Sequence, residues 1–401
     1  MDGIGGRFAG VDWATDAHAV CVVDDAGAVV AGFGVEHTAD GLAVLCRRLG
    51  EAGAARVAIE RPDGAVVEAL IDAGLEVVVV SSRAVKSLRC RYGTAGNKCD
   101  RGDAYILADC LRTDGHRWPA LEPDSAETVA LRSHVRARKD LVSARVAAAN
   151  QLRAHLRVVF PGAVGLFSRI DSAVSLRFLQ RFPSEAAAGW LSPKRLATWL
   201  RAARYSGRRS AEQLYERLLA AAPGARGDAQ SGVTAAYIAV LWTLRNQINQ
   251  LDNRIAELLD AHPDAHIFTS LPRAGTIRAA TLLAEIGDSR ARYPDPQSLA
   301  AAAGVAPSTR SSGRHRSVTF RWACDKRLRD AICDFAGDSR HANAWAQHRY
   351  QQLRAAGKRH PHAERILARS WTHIIWRIWQ DRTPYDPTRH RAHQQLEPNP
   401  G

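Results

Sequence analysis

Short apolar runs and amphipathic stretches alternate over the first eighty residues. Phe8 to Asp12, Ala17 to Val23 and Ala28 to Val35 are Val- and Ala-rich runs of strand length. Asp24, Asp25 and Gly27 punctuate the second gap as a hairpin turn. Leu42, Leu45, Cys46 and Leu49 fall on one stripe and predict a helix over 39–52. Residues 56–60 read as a fourth strand, 65–73 as a second helix and 75–80 as a fifth strand. The uninterrupted Val77-Val78-Val79-Val80 is what a strand covered on both faces needs.

Beyond residue 125 the period becomes helical. Leu131, Val135, Val142, Ala149, Leu152, Leu156 and Val159 form one apolar stripe that ends at Pro161. Its other faces carry basic residues, Arg132, Arg136, Arg138 and Lys139 among them. Residues 161–232 read as irregular with helical pieces, closing on a Gly/Pro/Ala-rich loop over 220–232. A second long helix is predicted over 233–261. Tyr237, Leu241, Leu244, Ile248, Leu251, Ile255 and Leu258 follow a 4-3 spacing, which favours a coiled-coil pairing over simple core packing. The tail is rich in Pro, His and Arg from Thr383 onward and is expected to be disordered. Three strands, a helix and then alternating strand and helix is the order of an RNase H-like layer fold. The expected organisation is an α/β domain over 1–124, a helical linker and coiled-coil region over 125–262, a mainly helical domain over 263–380 and a loose tail over 381–401.

Composition narrows the function classes. The chain has 401 residues, 46% hydrophobic, enough to bury a full core and too apolar for global disorder. No run of eighteen apolar residues occurs and no basic leader precedes an apolar run, so membrane spanning and secretion are not expected. The seven cysteines are scattered without a CxxC pair, which fits a reducing cytoplasm. Lys plus Arg total 55 against 41 Asp plus Glu, a formal net charge of +14. Residues 301–380 hold 15 Lys/Arg and 5 Asp/Glu. A surplus this concentrated suits a nucleic-acid partner, although a solvated basic surface has the same composition.

Four carboxylates stand out by context. Asp12 ends one apolar run and Glu60 another, and a carboxylate at the end of a buried strand is costly unless paired or bound to metal. Either alone also reads as an ordinary strand-terminating acid. A helix over 101–111 has Ala104, Leu107, Ala108 and Leu111 on its core stripe. At about 100° per residue, Asp100 and Asp103 extend that inward side by one turn, while Asp109 is expected to face solvent. A divalent cation would relieve the repulsion, and all-oxygen donors suit Mg²⁺ or Mn²⁺. Such a site would clamp a phosphodiester for in-line displacement.

Farther along, Leu271-Pro-Arg-Ala-Gly275 precedes a helix starting near Thr276 and resembles a phosphate-binding helix-hairpin-helix turn, with a plain interhelical turn as the alternative. Gly304 to Arg316 contains Ser308, Ser311 and Ser312 beside Arg310, Arg314, His315 and Arg316. Read alone, this is a Ser-rich phosphate-binding loop in which a catalytic serine would need a base, a metal or a cationic field. Arg321 and Lys326, and Arg136, Arg138 and Lys139 on the first long helix, complete the candidate nucleic-acid contacts.

Taken together, the motifs resemble one family. Gly10-Val-Asp12-Trp-Ala, Ala58-Ile-Glu60-Arg-Pro and Lys98-Cys-Asp100-Arg-Gly-Asp103-Ala104 are similar to the DEDD set of a RuvC-like domain. Leu271 to Gly275, Ala284-Glu-Ile-Gly-Asp288, Ala303-Gly-Val-Ala-Pro307 and Ser312-Gly313 resemble the C-terminal serine domain of insertion sequence 110 transposases. The resemblance spans nearly residues 7–380. It implies an RNA-guided DNA recombinase in which a non-coding bridge RNA pairs with donor and target DNA. It also implies that Asp12, Glu60, Asp100 and Asp103 hold Mg²⁺, that Ser312 attacks the phosphodiester, and that protomers assemble as a dimer or tetramer. The family usually has Leu-Pro-Gly-Ile-Gly where this chain has Arg273-Ala274, and Gln where it has Ser311; the following Gly313 matches Ser312 to the nucleophile. Two other readings compete: a RuvC-like metal-dependent junction nuclease without a serine, and a non-catalytic nucleic-acid-binding protein.

Overall fold

The computed structural model describes residues 6–92, 99–224, 229–312 and 315–390. The chain divides into two compact units, Met1–Pro123 with Ser289–Pro294, and Asp124–Asp288 with Asp295–Gly401.

The first unit is built on five strands: β1 (Phe8–Asp12), β2 (Ala17–Val23), β3 (Val29–Glu36), β4 (Arg56–Ile59) and β5 (Glu76–Val79), in the order β3-β2-β1-β4-β5. The first three pair antiparallel, and β4 and β5 run parallel to β1. Helices α1 (Ala39–Glu51), α2 (Ala65–Asp72), α3 (Ser82–Tyr92) and α4 (Asp100–Asp114) cover the two faces. Alternation sorts the core. Ala9, Val11, Val57, Ile59 and Val77 pack with Leu45, Leu49 and Leu70 of α1 and α2. Ala58, Val78 and Val80 point the other way and pack with Leu107 and Leu111 of α4. Val77 and Val78 are therefore both buried, on opposite faces, as the unbroken Val run requires.

A buried histidine lies in this unit. His18 on β2 is 1% exposed, its Nδ1 accepts the Ala14 N–H at 3.3 Å, and its Nε2 lies 2.9 Å from Nδ1 of His37. Accepting at Nδ1 leaves the neutral Nε2–H to donate to His37. Burial, and then the neighbouring His37 charge, hold His18 below its ordinary value. The folded state thus resists a proton that the unfolded chain takes up below about pH 6.5, so this stability is complete above that pH and is lost as pH falls. We expect the first unit to lose up to about 1.4 kcal/mol per pH unit below about 6.5 from this source. Thermal melts at pH 7.5 and 5.5 should show it, and His18→Gln should flatten the dependence; an equally acid-sensitive variant would exclude His18 as the cause.

The second unit is helical: α5 (Ala126–Val159), α6 (Ala173–Arg181), α7 (Glu185–Ala188), α8 (Pro193–Ala202), α9 (Ala211–Leu219), α10 (Ala229–Asp260), α11 (Ala265–Thr269), α12 (Gly275–Ile286) and α13 (Pro296–Ala302). A hairpin of β6 (Ser308–Ser312) and β7 (His315–Thr319) follows, then α14 (Lys326–Ser339), α15 (Ala344–Ala355) and α16 (His360–Asp381). Among the described residues no helix is long and apolar enough to cross a membrane.

Three sequence expectations change here. The heptad seam of α10 lies against α5 of the same chain: Thr128 bonds His262, Arg138 meets Asp252 and His155 meets Thr234, an antiparallel pairing. Leu241, Ile248 and Ile255 are buried by it, whereas Tyr237, Leu244, Leu251 and Leu258 are half-buried. The 3.5 spacing reports a two-helix seam and does not say whether the second helix belongs to another chain. Among the described residues, the helical pieces expected over 161–232 are α6 to α9, packed on Phe160, Phe167, Phe178, Phe182 and Leu214, but α10 begins before the end of the loop expected over 220–232. The tail is packed as far as residue 390. The Tyr385 N–H donates to Ser270 Oγ at 2.7 Å and its ring lies 5.5 Å from that of Trp371. A docked aromatic outweighs the polar composition around it.

Candidate active site

The acids converge for reasons readable in the sheet. Val11 pairs with Ile59 across parallel strands, so Asp12, the last residue of β1, and Glu60, which follows β4, come side by side at the C-terminal ends of the two strands. Alternation puts both on the face shared by Phe8, Gly10 and Ala58, the face that α4 covers. Gly10 sets the distance. A Cβ there would lie 2.2 Å from the Ala104 carbonyl oxygen and 2.5 Å from the Ala108 nitrogen, so only glycine lets α4 rest directly on β1. That contact seats Asp103, 3% exposed, one turn before Leu107.

Asp103 has a partner that the sequence reading missed. Arg89 of α3 donates from Nε at 2.7 Å and from Nη2 at 2.6 Å to the two carboxylate oxygens. These bonds raise the Arg89 pKa most; burial opposes them, and the charges of Asp103, Glu60 and Asp12 add to the rise. One guanidinium therefore sits in the combined field of three of the four predicted acids. No periodicity marks Arg89, because the pairing joins two helices. Asp100, exposed at the start of α4, stands a turn away from Asp103.

Asp109 corrects the helical-wheel reading. It is 3% exposed, accepts from the Tyr92 hydroxyl and pairs with Arg112 at 2.7 Å. Burial and then the Asp109 bond push the Tyr92 phenol well above its ordinary value. The wheel considered only the sheet, whereas α3 covers a second side of α4 and brings the phenol.

Among the described residues no three His, Cys, Asp or Glu side chains are grouped closely enough to hold a metal ion. The donor chemistry nevertheless fits a hard divalent cation. Asp12, Glu60 and Asp103 supply only carboxylate oxygens, and the Arg89 guanidinium already provides the positive charge they require. A cation held by Asp103 would share that carboxylate with the guanidinium or replace it, since the two N–H bonds use only part of its acceptor capacity. Arg89→Gln is expected to lower the melting temperature without metal, because Asp103 loses its charged partner at a cost of about 3 kcal/mol. Added Mg²⁺ or Mn²⁺ should restore more stability to this variant than to the wild type, and equal metal responses would separate Arg89 from the metal site.

The serines occupy the second unit. Ser308 to Ser312 form the exposed strand β6 and are not the loop expected from sequence; register pairs Ser311 with Arg316 and Ser312 with His315. Ser312 and Arg310 share one face of the strand, and Ser311 lies on the other. Arg314 lies outside the described residues. Arg321 donates to the Ala306 and Pro307 carbonyls and holds the chain entering β6, while Lys326 is exposed at the start of α14. Gly304 has φ of +63° and leaves no room for a Cβ beside Cys324 and Arg329. In the Leu271–Gly275 turn, Arg273 itself takes φ of +57° and is held by Asp338 at 3.1 Å.

The basic face of α5 is committed to carboxylates of its own unit. Arg136 makes a two-pronged pair with Glu285, Arg138 pairs with Asp252, and Lys139 lies 2.6 Å from Asp330. Counting charge along one helix does not reveal acids contributed by three others.

Residues 9–161 match the DEDD IS110 family model, described as a transposase, and residues 265–351 match the model of the transposase IS116/IS110/IS902 family. The chain is 32% identical over 399 residues to the "Mini-circle putative transposase for IS117" of Streptomyces coelicolor, covering 95% of this chain and 96% of that protein. It is 29% identical to the insertion element IS110 uncharacterized 43.6 kDa protein of the same organism, over 79% of this chain and 78% of the other. Identity to the insertion element IS116 uncharacterized 44.8 kDa protein of Streptomyces clavuligerus is 28%, over 79% and 80%.

Proposed function

Because this chain belongs to the IS110 family of transposases, we propose that it cuts and rejoins DNA with Ser312 as nucleophile and a divalent cation on the four acids. The observation that carries the metal half of this reading is the convergence of Asp12, Glu60 and Asp103 on one positive charge. Asp100 would join them as α4 adjusts. Mg²⁺ is the cation these donors favour, with Mn²⁺ as a substitute, and when bound it would polarise the phosphodiester.

The residues of the chain have separable tasks. Ser312 supplies the attacking Oγ from an exposed strand, forming the Oγ–P bond as one P–O bond of the DNA breaks. Arg310 on the same face, with Arg314, His315 and Arg316 next in sequence and Lys326 farther along, would hold phosphate oxygens and offset their charge. Arg321 keeps β6 in place through the Ala306 and Pro307 carbonyls. Arg136, Arg138 and Lys139 would reach DNA only by exchanging Glu285, Asp252 and Asp330 for phosphate. A bridge RNA as guide and self-association, for which the half-buried Leu244, Leu251 and Leu258 offer surface, belong to the same proposal.

The test is a covalent adduct. Wild-type protein with its non-coding RNA, Mg²⁺ and nicked suicide DNA substrates should run as a protein–DNA species on denaturing gels. Ser312→Ala should lose at least about a thousandfold of it while still binding nucleic acid, since those contacts come mostly from Arg and Lys. An adduct that persists in Ser312→Ala and vanishes in Ser311→Ala would move the nucleophile to the other face of the strand. Strand cleavage with no adduct in wild type would favour hydrolysis at the acids alone.

A further inference from the structure

The segment between the two family matches, residues 162–264, carries its own feature. Against the aromatic core of α6 to α9 opens a cleft of about 590 Å³, bounded by Leu166–Ser168, the first turns of α6 and the turn Ala203–Arg209. Four arginines line it, Arg177, Arg204, Arg208 and Arg209, and no Asp or Glu does. Arg209 is fixed at the rim by bonds to the Gly165 and Leu166 carbonyls at 3.3 and 3.2 Å. Arg177, Arg204 and Arg208 are exposed, and among the described residues nothing bonds or pairs with their side chains.

This contrasts with α5, where Arg132, Arg136, Arg138 and Lys139 each meet a carboxylate. Residues 163–210 contain nine Lys/Arg and two Asp/Glu. Both acids are engaged elsewhere, Asp171 with Arg169 and Arg145, and Glu185 with the Gly224 N–H. Like charges gathered without a counter-charge repel and await an anion. The turn is also specifically shaped. Arg204 adopts φ of +52°, a conformation that L side chains seldom take. The Tyr205 ring lies over Gly207, where a Cβ would come within 2.0 Å of the phenol oxygen, and stands edge-on to Phe167 at 5.5 Å.

The geometry points to a binding site for single-stranded nucleic acid, with phosphates on Arg177, Arg204 and Arg208 and a base against Tyr205. Arginine forks match phosphate oxygens, and aromatic rings take unstacked bases of any sequence. A cleft of this size admits about one or two nucleotides and excludes a duplex. The site involves neither the serine nor the acids, so it goes beyond the cleavage reading and can be tested without any strand breakage.

The experiment compares full-length wild type with the triple variant Arg177→Gln, Arg204→Gln, Arg208→Gln by fluorescence anisotropy. The probes are a single-stranded RNA, the same sequence as single-stranded DNA, and the matching duplex, each titrated at several salt concentrations. The triple variant should bind a single strand at least about tenfold more weakly, and its slope of log affinity against log salt should shrink by about 2, the value for three lost phosphate contacts. Duplex binding should change less than about twofold, and unchanged melting temperature would show that the exposed substitutions spare the fold. Tyr205→Leu should weaken single-strand binding with the salt slope unchanged, as stacking predicts. A loss confined to RNA or to DNA identifies which strand the cleft holds, and a loss with both identifies a shared phosphate site. Unchanged single-strand affinity and slope, or an equal loss with duplex, would overturn the proposal.

Discussion

Asp12→Asn is expected to reduce DNA strand transfer by on the order of a thousandfold, about 4 kcal/mol of lost transition-state stabilisation, with little change in melting temperature. Asp12 is half-buried at the strand edge, and Asn keeps its size while removing the negative charge a divalent cation needs. Asp103→Asn should lose as much activity, but it is a less clean probe. Its carboxylate is buried and holds Arg89 through two hydrogen bonds, so the amide also leaves a guanidinium partly unpaired, at about 3 kcal/mol. Recombination of plasmid substrates in Mg²⁺, run beside thermal melts, distinguishes the two effects. Wild-type transfer rates in Asp12→Asn would remove the metal site from the mechanism.

Gly10→Ala should be strongly damaging to the first unit. The added Cβ would press on the Ala104 carbonyl oxygen, the Ala108 nitrogen and Leu107 Cβ at 2.2, 2.5 and 2.8 Å. Backbone atoms of a helix cannot step aside one at a time, so α4 must lift away from β1 as a body. The expected cost is about 3 kcal/mol, about a 10 °C fall in melting temperature for a unit of this size. Activity should fall as well, because lifting α4 draws Asp103 away from Asp12 and Glu60. Gly32→Ala on β3 is the matched control: nothing lies within 4 Å of its Cβ position, and its melting temperature should stay near that of the wild type. If the two alanine variants melt alike, close helix contact is not what Gly10 provides.

These expectations rest on different kinds of information. The strand order of the first unit and its helices α1, α2 and α4 were legible because most of these elements are short and have one or both faces covered, whereas α3 was not read from the sequence. The Val77 to Val80 run and the Leu45 and Leu49 stripe lie where their patterns say. Asp12, Glu60 and Asp103 could be singled out because a carboxylate next to an apolar run needs a reason. The segment of Ser311 and Ser312 was expected from its arginines to be a phosphate-directed loop and was not legible as a strand, because its residues alternate nothing apolar.

The amino-acid order by itself determined the five strands of the first unit and its helices α1, α2 and α4, the two long helices of the second unit, which acids stand at strand and helix ends, and where positive charge accumulates, because these depend on neighbours within a few residues; it did not determine α3 or the pairing of β6 with β7. Only the tertiary structure decided what each charge meets. Arg89 finds Asp103 across two helices, Arg136 finds Glu285 across 149 positions, and Asp109 turns out to be buried under Tyr92. It likewise decided that the α10 seam is filled by α5, and that among the described residues the side chains of Arg177, Arg204 and Arg208 meet no acid. A periodic pattern fixes the side of an element that is covered, but the identity of the covering residue depends on contacts between distant segments, and local spacing carries no record of those.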